Sequence, residues 1–329
     1  MSSKTVRIEL LHRDRWEEWN EYVAKHPGGT VFHTTTWLEQ VADDIRVSVA
    51  GDGTIQGGIA LARFRKLGQL GYHIPPYTPY GGPLAGEASR GFAANTRSSA
   101  LIEQLIRSVS GAAHLDFTLP PEPQDILPYS LAGCDVSAAV THRLRENGVP
   151  LLQRIESRSR TYLQRLSQLL AEGEITATWD DSYDEILEIW SQTGDRKGFA
   201  TRHARLSRMV SHLGTTCFRS VMLRTAVGEP LAGQICAKDS RTYYNLIPAI
   251  NKSATGLLGR AGLLSCYLMI NDAWSTGRVF DFEGSSIRGV AEFYRRMGGE
   301  RLPVFRVQRT RSPYYAALRA IRHLKTAWA

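Results

Sequence analysis

The sequence predicts an α/β fold made of two related units, on two observations. From Leu257 to Val307, helical and extended patterns alternate as they do along an α/β sheet. A similar order of small-residue strand, helix and acid-bearing strand occurs earlier, between Gly57 and Phe117.

The later stretch has the clearer elements. Leu263, Leu264, Tyr267, Leu268, Ile270 and Trp274 recur at helical spacing, so Leu257 to Gly277 is expected as a helix that stops at Ser275-Thr276-Gly277. Arg278 to Phe282 is β-branched and aromatic and reads as a strand, followed by a turn at Gly284-Ser285-Ser286. A short helix is expected from Gly289 to Gly299, and a strand from Leu302 to Val307. Ligands of α/β sheets bind beyond the carboxyl ends of strands. That rule puts Glu283 to Ser286 at a site and makes Asp281 and Glu283 its candidate carboxylates, a local cap or ion pair being the plainer role for Asp281.

In the first half, Ser98 to Val109 reads as a helix, His114-Leu-Asp-Phe117 as the strand after it, and Pro120 to Pro123 as a loop. Each helix is preceded by a two-strand unit with a small-residue core, Gly57-Gly-Ile-Ala-Leu-Ala62 in one half and Leu231-Ala-Gly-Gln-Ile-Cys-Ala237 in the other. Gly58 and Asp116 are 58 positions apart, and Gly233 and Asp281 are 48 apart. The kept order points to a duplicated unit. The polar link Arg143 to Pro150 is the expected seam, dividing the chain into domains at 1–147 and 148–329, the second with a basic C-terminal helix.

Charge narrows the function classes. Forty Lys and Arg against 32 Asp and Glu give a net charge of +8, concentrated at Arg154 to Arg165 and from Arg295 to Arg322, which suits a polyanionic partner or a solvated basic face. No run approaches the roughly 18 apolar residues of a membrane span, and Met1-Ser-Ser-Lys-Thr5 has no apolar leader, so a cytoplasmic protein without an integral membrane segment is expected. Cys134, Cys217, Cys236 and Cys266 lack paired spacing and read as reduced thiols rather than metal ligands. The signatures of zinc proteases, phosphate-loop hydrolases and serine esterases are missing from the sequence.

Arg158 and Tyr162 share a helix face, Arg165 continues it and Arg160 adds charge, which together make a phosphate-handling edge. Tyr162 also belongs to the apolar face with Leu163, Leu166, Leu169 and Leu170, so a core role stays open. Gly256, Gly259 and Gly262 open the next long helix, and Leu258-Gly-Arg-Ala-Gly262 loosely matches the pyrophosphate loop of acyl-CoA-dependent GNAT enzymes.

Several motifs in order resemble one family. Asp281-Phe-Glu-Gly-Ser285, Phe293-Tyr-Arg-Arg-Met-Gly298, Phe32-His-Thr-Thr-Thr-Trp37 and Tyr77-Thr-Pro-Tyr-Gly-Gly-Pro83 are similar to segments of Fem-type transferases and their GNAT-like relatives. The resemblance implies two tandem GNAT-like domains with a cleft between them, moving an activated acyl group to an amine. It implies aminoacyl-tRNA as donor, with acyl-CoA as the alternative, and no tightly bound cofactor. The acceptor would be an amine-bearing small molecule or a peptidoglycan precursor. Trp37, Tyr77, Tyr80, Arg158, Arg160, Tyr162, Tyr243, Ser285 and Arg295 are the substrate-binding candidates, and Tyr244 joins Asp281 and Glu283 as a candidate for the chemistry. Where the family often has Phe-Lys this chain has Phe293-Tyr294, and Arg295 or Arg296 would replace the lysine. A scaffold without catalysis that binds nucleic acid or an anionic surface is the rival.

Overall fold

A computed structural model describes residues 7–66, 68–86, 92–121, 125–196, 203–284 and 287–317. The chain runs β1 (Ile8–Leu10), α1 (Trp16–Lys25), α2 (Thr35–Val41), β2 (Ile45–Gly51), β3 (Ile55–Lys66), β4 (Gln69–His73), β5 (Gly82–Ala85), α3 (Phe92–Ser108), β6 (His114–Thr118), α4 (Leu127–Leu131) and β7 (Asp135–Leu144). It continues α5 (Leu151–Arg154), α6 (Ser157–Ala171), β8 (Ile175–Trp179), α7 (Tyr183–Arg196), α8 (His203–Cys217), β9 (Phe218–Thr225), β10 (Pro230–Lys238), β11 (Thr242–Ile250), α9 (Ala261–Ser275), β12 (Val279–Asp281), α10 (Arg288–Arg296) and β13 (Glu300–Thr310). Two compact units result, residues 1–139 with 303–329, and residues 140–302. The seam expected at Arg143 to Pro150 lies inside the second unit.

In the first unit β2, β3 and β4 form an antiparallel meander, and α3 carries the chain over to β6, which lies parallel to β4. In the second unit β9, β10 and β11 form the meander, and α9 carries the chain to β12, parallel to β11. A parallel neighbour requires such a helical crossover. The order that the two halves of the sequence share is therefore one motif built twice. Each sheet is then completed from the other half of the sequence. Residues 306–310 of β13 pair antiparallel with β6, while Arg143 and Leu144 of β7 pair with β12.

Leu264, Met269, Ile270 and Ala273 of α9 pack with Leu163 and Leu166 of α6, Val221 of β9 and Phe280 of β12 in the second core. Leu105, Ile106, Leu115 and Phe117 do the same in the first. Gly262 permits α9 to start against the end of β11, since a Cβ there would lie 2.7 Å from Ile250 Cδ1. All four cysteines are buried and free.

Candidate active site

In the second unit, β11 and β12 run together only as far as the pair Tyr244 and Asp281. Beyond it β11 continues to Ile250, and a register shift opposite Ile235 and Cys236 marks a bulge near Leu246. Bulges of this kind re-aim side chains and gather beside active sites. The sheet therefore opens where Phe282 and Glu283 leave it.

Asp281 is fully buried. Its Oδ2 accepts from Arg143 Nε at 2.8 Å, and its Oδ1 from Thr141 Oγ1 at 2.9 Å and from the Glu283 amide at 2.8 Å. A carboxylate so engaged holds the turn and offers no free oxygen edge to an amine. Glu283 has φ +60°, left-handed backbone unusual for a side chain of its size. Such strain costs about 1–3 kcal/mol. The Asp281 bond to its amide helps hold it, and burial of the neighbouring Phe280 and Phe282 rings, both 0% exposed, contributes about 3–6 kcal/mol. The core therefore outweighs the strain. Glu283 Oε1 is buried and has no hydrogen-bond partner among the described residues. Burial, and then Asp281, keep this carboxyl well above the usual carboxylate range. Ser285 lies outside the described residues.

The same unit holds a cavity of about 490 Å3, lined among others by Arg158, Tyr162, Gly259, Arg260, Phe293 and Arg296. α6 and the start of α9 bring these groups together. Glu156 caps α6 by accepting from the Ser159 amide at 2.8 Å, which orients the turn carrying Arg158. Arg260 lies 4.5 Å over the Tyr162 ring and Arg158 lies 6.0 Å from it. A hydrogen bond from Arg158 and the charges of Arg158 and Arg260 hold the Tyr162 phenol below its ordinary value. Three guanidinium groups beside the first amides of α9 make a site for an anion, with Glu156 as the opposing charge.

Of the residues the sequence singled out, Arg158 and Tyr162 meet here, whereas Arg160 and Arg295 lie outside the lining. Arg260 and Arg296 complete it, Arg296 having been named only as a replacement for the family lysine. Arg260 stands inside the glycine pattern at the helix start, which is the signal that pointed to it. Tyr243 and Tyr244 point to opposite faces, as neighbours on a strand must. Their hydroxyls donate to Asp272 Oδ2 at 3.1 Å and Asp239 Oδ2 at 2.9 Å, and both side chains are buried, so neither faces a substrate. In the first unit Trp37 is 0% exposed and donates from Nε1 to Thr78 Oγ1 at 3.1 Å, and Tyr80 is buried against Phe32. Tyr80 borders a cavity of only about 20 Å3, room for one water. Trp37 and Tyr80 therefore pack the unit's interior and shape the loop that carries Tyr77, whose φ is +61°.

The crossover of β11, α9 and β12 and the basic pocket at the start of α9 lie within a span that matches an N-acyltransferase family. Residues 156–297 match the family model described as acetyltransferase (GNAT) domain, a span that takes in α6, α9, β12 and α10. The chain is similar in structure to FemX, at 17% identity over 90% of this chain and 96% of that one, with a TM-score of 0.66. It is similar to L-PGS from Bacillus licheniformis at 14% identity, covering 96% and 98%, TM-score 0.58. A tandem GNAT protein from the clavulanic acid biosynthesis pathway aligns at 12% identity, covering 92% and 98%, TM-score 0.52. No curated protein matches by sequence. Residues 156–297 thus match a GNAT domain by sequence, and the whole chain shares the fold of FemX and of the tandem GNAT protein, with two GNAT-like units. No helix among the described residues is long and apolar enough to cross a membrane.

Proposed function

We propose that the chain moves an aminoacyl group from aminoacyl-tRNA to an amine, with the second unit's basic pocket holding the donor's phosphates. The observation that carries this is the convergence of Arg158, Arg260 and Arg296 at the start of α9. An aminoacyl ester is already activated, so the protein has to position the amine, accommodate a proton and steady the oxyanion. Arg158, Arg260 and Arg296 bind phosphate, and Tyr162 fixes the first two in place. Glu283 orients the incoming amine. Its buried oxygen without a partner gains one when an ammonium or amine arrives. Asp281, tied to Arg143 and Thr141, is the positioning residue that keeps Glu283 in its left-handed conformation. A small amine or a peptidoglycan precursor is the acceptor, and a tRNA donor places the reaction in the cytoplasm.

The description of the matched family favours acyl-CoA as the second reading, since a pyrophosphate suits the same pocket. Incubation with labelled aminoacyl-tRNA and, separately, labelled acetyl-CoA, in the presence of amine acceptors, separates the two by which label is transferred. Binding of tRNA with no transfer of either label would leave the non-catalytic reading standing.

A further inference from the structure

We infer that Glu156 fits the basic pocket to a zwitterionic ligand, taking the ammonium group of a molecule whose phosphate sits on Arg158, Arg260 and Arg296. The inference rests on the acyl-transfer reading above and narrows its substrate. Glu156 lines the cavity together with the three arginines. Its backbone amide donates to the Arg296 carbonyl at 2.8 Å, which sets the start of α6 against the end of α10. The two residues rise from touching backbone, yet among the described residues the Glu156 carboxylate forms no ion pair with Arg296, Arg158 or Arg260.

Other contacts hold these charges apart. Glu156 Oε2 accepts from the Ser159 amide at 2.8 Å, Arg260 lies 4.5 Å over the Tyr162 ring, and Arg296 reaches Glu292 Oε2 at 3.8 Å. The Ser159 amide, and more weakly the Arg296 charge, keep the Glu156 carboxyl below its ordinary value, so it is an anion at neutral pH. One cavity lining therefore presents three positive charges and one negative, separated before any ligand arrives.

A cap alone does not account for the residue, since Ser, Thr, Asp and Asn are the preferred N-caps and glutamate is not. A phosphate alone does not account for it either. A carboxylate in the lining repels a purely anionic ligand, while one that brings a cation beside its phosphate meets both signs. An aminoacyl ester of tRNA is such a ligand, with its ammonium on the acyl group and its phosphate on the ribose. Acetyl-CoA has phosphates and no cation at its acyl end. An amine acceptor that carries a phosphate has the same chemistry as the aminoacyl ester.

The test is calorimetric binding of phosphoethanolamine and of ethyl phosphate to the full chain. Wild type should bind phosphoethanolamine roughly threefold to tenfold more tightly. Glu156→Ser, which keeps a good cap without the charge, should lose that preference with the melting temperature little changed. Arg260→Ala should weaken both probes, which places them in this pocket. Equal binding by wild type, binding of neither probe, binding that Arg260→Ala leaves unchanged, or a preference that survives in Glu156→Ser overturns the inference. The wild-type comparison decides even if the serine variant does not fold. Transfer to a phosphate-free amine then assigns the source of the ammonium, with aminoacyl-tRNA compared against the same tRNA acetylated on its α-amino group. A kcat/KM that falls on acetylation in wild type and not in Glu156→Ser puts the ammonium on the donor. The binding preference without that fall puts it on the acceptor. A wild-type chain that prefers phosphoethanolamine but transfers neither aminoacyl nor acetyl groups overturns the functional reading and leaves the role of Glu156 in binding standing.

Discussion

Asp116 and Asp281 occupy corresponding strands of the two units, and their settings agree in one respect and differ in another. Each is held by an arginine from the strand that completes its sheet from the other half of the sequence. Arg306 Nε of β13 donates to Asp116 Oδ1 at 2.8 Å, and Arg143 Nε of β7 donates to Asp281 Oδ2 at the same distance. The acid–arginine pair therefore belongs to the scaffold. The residues beyond each aspartate are where the units part. After Asp116 the chain continues Phe117-Thr118-Leu119-Pro120, with no second carboxylate, whereas after Asp281 comes Phe282-Glu283-Gly284. The cavity beside Tyr80 in the first unit holds about 20 Å3, against about 490 Å3 for the basic pocket of the second. On the acyl-transfer reading the chemistry belongs to one copy of a shared frame, and the acid that looks most catalytic in the sequence is held as its counterpart in the other copy is.

The sharpest way to break this comparison is to remove the two arginines. Arg143 is 4% exposed beside a fully buried Asp281, so Arg143→Met leaves a buried charge alone and should cost about 3–5 kcal/mol. The Arg306 side chain is 51% exposed, and Arg306→Met should cost under about 1 kcal/mol. Equal losses in urea unfolding would erase the distinction between the settings.

Glu283→Gln tests whether the added carboxyl acts in turnover. Transfer should fall about a hundredfold, while stability near neutral pH should rise. The folded state holds Glu283 protonated above its ordinary 4.5. Its contribution to stability is full below that value and drains as pH rises toward the raised folded-state pKa. The glutamine variant lacks this loss, so its melting temperature should exceed the wild type's at pH 7 and match it more closely near pH 4. A variant that unfolds instead would make Glu283 a structural carboxylate like Asp116.

Arg260→Ala should weaken binding of a phosphate-rich donor by about tenfold and lower the salt-dependence slope by about one. Arg306→Met should change neither. The smallest effect belongs to His142, 4% exposed with neither ring nitrogen bonded. Burial and the charges of Arg295 and Arg301 lower its pKa. Its neutral form therefore supports the fold above the ordinary histidine value of 6.5, and that support is lost as pH falls through the lowered one. His142→Phe should flatten the loss of stability between neutral and mildly acid pH by an amount of order 1 kcal/mol.

Local pattern made the helices and the repeated order legible. The helix expected from Leu257 to Gly277 is α9, entered by a 3-10 turn at Leu258–Arg260, and Arg158 and Tyr162 do share the face that lines the pocket. Pairings across long stretches of chain were not legible, because no local pattern encodes them. The bond between Arg143 and Asp281 spans 138 positions, and without it Asp281 resembles a free acid. Tyr243 and Tyr244 were both expected at the site, although neighbours on a strand point to opposite faces. The sequence could not tell that Asp272 and Asp239 would take their hydroxyls.

The exchange of closing strands sets the timetable by which this protein comes into being. During synthesis the first unit emerges with β6 lacking its neighbour, because the residues that pair with His114 to Thr118 are Arg306 to Thr310, about 190 positions later. At about 5–20 residues per second the ribosome needs on the order of ten seconds or more to deliver them. Throughout that interval an open strand edge invites pairing with the wrong chain. Cutting the gene between residues 147 and 148 would make the interval permanent for the first half and would separate β7 from β12 in the second. The two units of this chain are therefore born together, with neither sheet finished until almost the last strand is made.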